Sequence, residues 1–167
     1  MGEVIIETKR LVIREFEPED LDALYRLYED SDTRYIQKLS EDREEEMEKL
    51  KSYIHYIYGF YGFGLWAVCL KENGELIGRC GLQVEFIDDQ GEYELGYMIS
   101  GKYGRKGYAA EAVKAILEYA DEELEAPRVV VQIHKKNKGS LDFAKKMGFK
   151  QMQEKERDDR QLFFYDL

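Results

Sequence analysis

The chain has 167 residues, 44% of them hydrophobic and 36% charged, with a formal net charge of −10. That length suits one ordinary domain over residues 1–167 with a real core, and this composition excludes a disordered chain. No apolar run is long enough to span a bilayer, and the negative balance argues against general nucleic-acid binding.

In chain order, Met-Gly-Glu-Val-Ile-Ile-Glu lacks the basic region and long apolar core of a secretory leader. Ile6 stands where a myristoylation signal prefers Ser or Thr, so a soluble cytoplasmic protein with no membrane partner is expected. Leu11 to Phe16 alternates as a strand. Glu17-Pro-Glu-Asp20 then opens a helix, with proline in its first turn and acids at its positive end. Leu21, Leu24, Tyr25, Leu27 and Tyr28 carry that helix on. Ser40 is the expected N-cap of a second helix from Glu41 to about Tyr58, whose first half is an acid-rich, solvent-facing surface. Tyr53 to Trp66 is crowded with aromatic residues and glycines, and is either core packing plus a loop or the wall of a binding pocket.

Phe63 to Leu70 and Leu76 to about Ile87 read as strands joined by an Asn73-Gly74 turn. Asp88 to Gly91 turns into a third strand at Tyr93, completing an antiparallel meander. Cys69 and Cys80 fall in neighbouring strands without metal-ligand spacing, and His55 and His134 lie far from both in sequence. Two reduced core thiols and no metal are therefore expected. Ala109, Ala112, Val113, Ile116, Leu117, Ala120 and Leu124 form the apolar stripe of a helix packed on a sheet. Pro127 stops it. Arg128 to His134 is a β-branched run, as for a strand buried on both faces. Ser140 to Met147 follows as a short helix with Gly148 as C-cap, and a hairpin of Lys150–Lys155 and Leu162–Tyr165 ends the chain.

The informative stretch is Gly101-Lys-Tyr-Gly-Arg-Lys-Gly-Tyr-Ala-Ala110, a glycine turn between a strand and a helix. The first N–H groups of a helix have no partner inside it and carry the positive end of its dipole, which suits a phosphate. Gly104 and Gly107 allow close approach, while Lys102, Arg105 and Lys106 add cations without a nearby acid. Taken alone, an ordinary turn with solvated basic residues explains the stretch about as well. It lacks the Gly-Lys-Ser/Thr ending of a nucleoside-triphosphate loop, and its glycines do not fit G-x-G-x-x-G.

The turn resembles the acyl-coenzyme A loop of the GCN5-related N-acetyltransferase (GNAT) superfamily, with signature Gln/Arg-x-x-Gly-x-Gly/Ala. Gly107 and Ala109 match its last two positions, whereas Gly104 replaces the Gln or Arg. Glu94-Leu-Gly-Tyr-Met-Ile99, Tyr103 and Lys106-Gly-Tyr-Ala-Ala-Glu-Ala112 are similar to the subgroup acetylating ribosomal-protein N-termini. Its Asn-x-x-Ser…Lys-x-Gly-Phe pattern is matched by Asn137, Ser140, Lys146, Gly148 and Phe149. The likeness covers most of the chain, from Thr8-Lys-Arg-Leu-Val-Ile-Arg14 to the terminal strands. It implies an α/β (α+β) fold: a central, mixed, mostly antiparallel twisted sheet of about six to seven strands with about four helices on its faces.

The resemblance further implies acetyl-coenzyme A as co-substrate and a small-molecule or peptide amine as acceptor. Arg105, Lys106, Gly107, Tyr108, Ala109 and Ala110 would cradle the pyrophosphate. Backbone N–H groups of Met98 and Ile99 would bind the pantetheine arm and polarise the acetyl carbonyl, and Asn137 would hydrogen-bond the same arm. Glu94 is the candidate general base, acting through water, and Ser140 the preferred general acid near the thiol, with Tyr97 or water as alternatives. Many members carry a tyrosine acid seven residues after the asparagine; here that residue is Ala144.

Charge distribution agrees with an anionic cofactor. Gly101–Ala110 carries +3 and Arg128–Lys150 +6, leaving −19 on the rest of a chain of −10. The acidic remainder favours either a cationic acceptor or simple solubility. Ordinary structural roles compete for single residues: an ion-paired strand carboxylate at Glu94, a helix-turn residue at Asn137 and a backbone-bonded hydroxyl at Ser140. Two further function classes stay open, a non-catalytic coenzyme A-binding regulatory module and a nucleotide-binding enzyme. Either a monomer or a homodimer is compatible with the sequence.

Overall fold

A computed structural model describes residues 2–167, with the backbone alone for residues 153–156. Met1, the first residue of the expected domain, lies outside the described residues. Eight strands share one sheet in the order β1-β2-β3-β4-β5-β6-β8-β7. They are β1 (Val4–Glu7), β2 (Leu11–Arg14), β3 (Leu65–Leu70), β4 (Leu76–Ile87), β5 (Gln90–Ile99), β6 (Arg128–His134), β7 (Lys150–Arg157) and β8 (Arg160–Asp166). Seven correspond to expected strands. The eighth is β1, a four-residue edge strand paired antiparallel with β2. By their contacts the residues form two compact units, 1–81 with 97–115 and 82–96 with 116–167.

In the first unit, β2 buries Leu11 and Ile13 completely, while Val12 between them stays half-buried. β3 is buried at every position from Leu65 to Leu70. Helix α1 (Leu21–Glu29) turns Leu21, Leu24 and Leu27 inward, and they pack with Phe16, Leu50, Ala67 and Cys69. Each such side chain contributes roughly 1.5–3 kcal/mol of burial. Pro18–Asp20 forms a tight 3₁₀ turn ahead of α1, so the regular helix starts at Leu21. Asp20 is buried there and takes both Nη1 and Nη2 of Arg14, at 2.7 and 2.8 Å. It also accepts the Glu17 N–H at 2.8 Å, so neither charge of the pair is left without a partner.

The second helix departs from the expectation at both ends. Its N-cap is Asp42, whose carboxylate accepts the Glu44 and Glu45 N–H groups, and α2 spans Arg43–Ser52. Ser40 is instead tied down by the side chains it meets: its N–H donates to Glu46 and its hydroxyl to Glu45. Glu46 is thereby buried, an exception to the solvent-facing acidic surface expected here. Past Ser52 the helix widens into a π-helical stretch, Tyr53–Tyr58, and closes with one turn, α3 (Gly59–Tyr61). The aromatic run divides accordingly. Tyr58 and Phe63 are core, and the Tyr53 hydroxyl accepts the Leu65 N–H, while Tyr56 and Phe60 are 66% and 82% exposed.

In the second unit, β6 pairs antiparallel with β8 along its whole length, from Arg128↔Asp166 to His134↔Arg160. Adjacent Val129, Val130 and Val131 are all buried, which confirms a strand covered on both faces. β5 runs parallel to β6, with Tyr93 opposite Val129 and Glu94 opposite Val130. Asp88 and Asp89 both adopt left-handed backbone (φ 50° and 62°), closing a two-residue hairpin so that β5 starts at Gln90 rather than Tyr93. Helix α4 (Tyr108–Glu122) contributes residues to both units and buries Ala112, Val113, Ile116, Leu117 and Ala120 of the expected stripe, whereas Ala109 is only half-buried and Leu124 lies past the end of the helix. Helix α5 (Lys138–Met147) ends at Gly148, left-handed at φ 99°.

Both cysteines are free and buried, and desolvation pushes each thiol up, that of Cys80 to about 12. Among the described residues, no helix is long and apolar enough to cross a membrane. None of them form a group of three or more His, Cys, Asp or Glu able to hold a metal.

Candidate functional site

Residues expected to work together lie in both units, so each half is built separately. In the first unit the chain leaves β5 at Ile99. The Ser100 N–H donates to the Ile77 carbonyl at 2.7 Å, and a Cβ on Gly78 would come within 2.5 Å of the Met98 carbonyl oxygen. Strand alternation places the peptide groups of Met98 on the β4 edge with those of Ser100, and those of Ile99 on the opposite edge. The Met98 side chain packs against the core around Phe16 and Leu24.

Ser100 caps a 3₁₀ turn, Gly101–Tyr103, by accepting the Lys102 N–H. Gly101 is pinned from beneath: its N–H donates to the Asp30 carbonyl at 2.8 Å, and Lys102 pairs with the Asp30 carboxylate at 3.2 Å. Arg105 (φ 61°) and Gly107 (φ 81°) then adopt left-handed backbone on either side of Lys106, and α4 begins at Tyr108. Left-handed geometry costs a non-glycine residue roughly 1–2 kcal/mol, so Arg105 is held there by its surroundings. A Cβ on Gly104 would meet only the Gly101 carbonyl, at 3.4 Å, and one on Gly107 only Arg10 Nη2, also at 3.4 Å. The turn is thus lightly packed at both glycines and leads straight into a fifteen-residue helix. With Lys102, Arg105 and Lys106 exposed around it, this arrangement fits a diphosphate.

Three residues outside the expected set, Thr8, Arg10 and Glu111, brace this turn. Glu111, in the first turn of α4, accepts the Thr8 hydroxyl at 2.5 Å, the Arg10 N–H at 2.9 Å and Arg10 Nε at 2.7 Å. Arg10 Nη1 donates to the Lys106 carbonyl at 2.9 Å, and the guanidinium lies 4.2 Å above the Tyr108 ring. Partial burial pushes the Glu111 carboxyl up, but the hydrogen bonds from Thr8 and Arg10 outweigh it and hold the group below the usual carboxylate range. Thr8 and Arg10 belong to the stretch Thr8–Arg14 that carries part of the resemblance, yet nothing in the local sequence assigned them to the turn.

In the second unit, Glu94 projects from β5 half-buried, and its carboxylate accepts the side-chain amide of Gln132 on β6. Desolvation raises the Glu94 pKa above the ordinary carboxylate value, and the Gln132 hydrogen bond only partly opposes it. Such a shift brings a carboxylate towards the range in which it accepts protons effectively. The neighbouring Glu92 is instead paired with Arg128. Asn137 is the N-cap of α5, with Oδ1 accepting the Ser140 N–H at 3.3 Å. Its structural role is thus real, and it occupies only the carbonyl side of the amide. Ser140, in the first turn of α5, is half-buried. Ala144, where many family members have their tyrosine, is 2% exposed and packed inward.

A family model described as an acetyltransferase (GNAT) domain matches residues 10–150. The uncharacterized N-acetyltransferase YnaD of Bacillus subtilis (strain 168) is 34% identical over 151 residues, covering 87% of this chain and 82% of that protein. YkkB of the same organism is 36% identical over 84 residues, about half of each chain (50% and 49%). Among solved structures, an acetyltransferase from Salmonella typhimurium that modifies the N-terminal serine of ribosomal protein L7/L12 superposes with a TM-score of 0.72. It is 16% identical and covers 99% of this chain and 99% of that one, a likeness of fold.

Proposed function

The chain belongs to the GNAT acetyltransferase family and is an acyltransferase, and from that premise we propose that it moves the acetyl group of acetyl-coenzyme A directly to a primary amine. The observation that carries the cofactor is the turn before α4, with left-handed Arg105 and Gly107, a single neighbouring atom beside each of Gly104 and Gly107, and three exposed cations. Arg105 to Ala110 take the pyrophosphate. Ile99, whose N–H faces away from β4, is the donor to the acetyl carbonyl or the pantetheine arm; Met98 shares the task less directly.

An alkylamine has a solution pKa of roughly 10.4, so it must lose a proton before it attacks. Glu94 receives that proton through water, and its desolvated position makes it a stronger base than an exposed carboxylate. As the N–C bond forms and the C–S bond breaks, the leaving thiolate takes a proton relayed through the Ser140 hydroxyl, which is reprotonated by solvent water as it donates, while the amine proton leaves through Glu94. Asn137 holds the pantetheine arm through Nδ2 while Oδ1 caps α5. The acceptor class is a primary amine on a peptide N-terminus, a polyamine, an amino sugar or a small metabolite. The N-terminal-serine specificity of the Salmonella protein places peptides first in a screen. We assign the activity to the cytoplasm.

The test is thiol release across an amine panel, with Glu94→Gln as control. Turnover should fall about 10²- to 10⁴-fold in that variant while coenzyme A binding persists. The wild-type rate should rise with pH through a limb above the ordinary carboxylate range, because the Glu94 pKa is raised. The inward packing of Ala144 favours a second reading, a coenzyme A-binding module without catalysis. Tight cofactor binding with no thiol release from any amine would select it.

A further inference from the structure

We infer that Arg10, delivered from the turn between β1 and β2, is itself a phosphate ligand of the glycine turn. This rests on the reading of that turn as the pyrophosphate site. Three features fix the guanidinium plane before any ligand arrives: Nε is bonded to Glu111 at 2.7 Å, Nη1 to the Lys106 carbonyl at 2.9 Å, and the plane rests 4.2 Å above the Tyr108 ring centroid. The remaining corner, Nη2, has no acceptor among the described residues and stands 3.4 Å from the point that a Cβ on Gly107 would occupy. It therefore stands beside Gly107, at the glycine turn itself.

The side chain is 38% exposed, so a phosphate oxygen can reach it. Of the other cations, Lys102 is paired with Asp30, and the Lys106 ammonium sits over the Tyr103 ring at 5.5 Å. Arg10 is the guanidinium already oriented, and the position where the family signature carries Gln or Arg is Gly104, which has no side chain to offer. A cation supplied from 94 positions earlier in the chain takes over that task. Prior anchoring lowers the ordering cost of the contact, and a guanidinium fork suits a phosphate better than an ammonium does.

The experiment is calorimetric titration with coenzyme A, at low and high salt, on the wild type, Arg10→Gln, Arg10→Lys and Glu111→Gln. Arg10→Gln should bind roughly 10- to 100-fold more weakly, with a shallower dependence on salt, because one charge-assisted contact is gone. Arg10→Lys should recover part of the affinity and the salt dependence. Glu111→Gln disturbs the same brace but retains the guanidinium, and should keep the wild-type salt dependence. Equal affinity of Arg10→Gln and wild type would overturn the assignment. So would equal losses in both Arg10 variants at unchanged salt dependence, since that marks a purely structural brace. If Arg10→Gln does not fold, Arg10→Lys decides: undiminished affinity at both salt concentrations refutes the contact, and a several-fold loss supports it. A folded wild type that does not bind coenzyme A would remove the phosphate site altogether, an outcome distinct from failure of Arg10 alone.

Discussion

The turns that open α4 and α5 solve the same problem, what to do with the free N–H groups of a helix, in opposite ways. Before α5, one local side chain suffices: Asn137 Oδ1 takes the Ser140 N–H three residues away. Before α4 the turn is held instead by bonds to residues distant in the chain, Asp30, Thr8, Arg10 and Glu111. A helix start capped by a near neighbour is satisfied locally, whereas one braced from distant positions is shaped by the rest of the fold. Accordingly, substitutions before α4 should weaken ligand binding most, and those before α5 should reveal a helix cap first.

The largest effect is expected at Gly107. Gly107→Glu forces a side chain into left-handed backbone and puts an acid beside the phosphate path, and coenzyme A affinity should fall by more than about 100-fold in a calorimetric titration. Next is Glu111→Ala, which removes the acceptor of three hydrogen bonds and should cost roughly 1–3 kcal/mol in urea unfolding. Glu111 also predicts a pH effect. Its folded pKa lies below the unfolded value of roughly 4.3, so its contribution is complete above that pH and disappears as pH falls through the folded value. Wild type should therefore lose stability on acidification over that window more steeply than Glu111→Gln.

A smaller effect separates the two jobs of Asn137. Asn137→Ala should cost about 1 kcal/mol as a lost cap, and Asn137→Asp should restore that stability. Only the alanine variant's melting temperature should drop, while both should bind coenzyme A several-fold more weakly, having lost Nδ2. The smallest is Lys102→Ala. Its pair with Asp30 leaves the lysine 70% exposed, so unfolding should change by less than about 1 kcal/mol and by less still at high salt.

The two turns also differ in how far the sequence alone reveals them. Asn137, Ser140, Gly148 and Phe149 interact with near neighbours, so their spacing is their structure. The glycine turn is equally visible as a pattern, but its brace is not, because Arg10 and Glu111 lie 101 positions apart and nothing local to either names the other. Similar physics explains the smaller departures. Ser40 and Asp42 are both good cap residues, and the choice of Asp42 depends on Ser40 being drawn to Glu45 and Glu46. The π-helical stretch at Tyr53–Tyr58 keeps a helical hydrophobic pattern while changing which aromatic residues turn inward. β1 is only four residues long and pairs with a single neighbour, β2, which leaves little periodicity to detect. Strands inside the sheet announce themselves more plainly, β3 by an unbroken apolar run and β6 by a β-branched run broken only by Gln132.

The burial of both cysteines has a practical side. A disulfide reagent used to follow the coenzyme A thiol reacts with thiolates, and a buried thiol pushed to about 12, as at Cys80, supplies almost none near neutrality. Cys69 is likewise raised and buried. The native enzyme should be colourless to such a reagent until unfolded, when two equivalents appear per chain. A continuous colorimetric assay then reads product alone, and the same reagent in a denaturant series counts unfolded molecules.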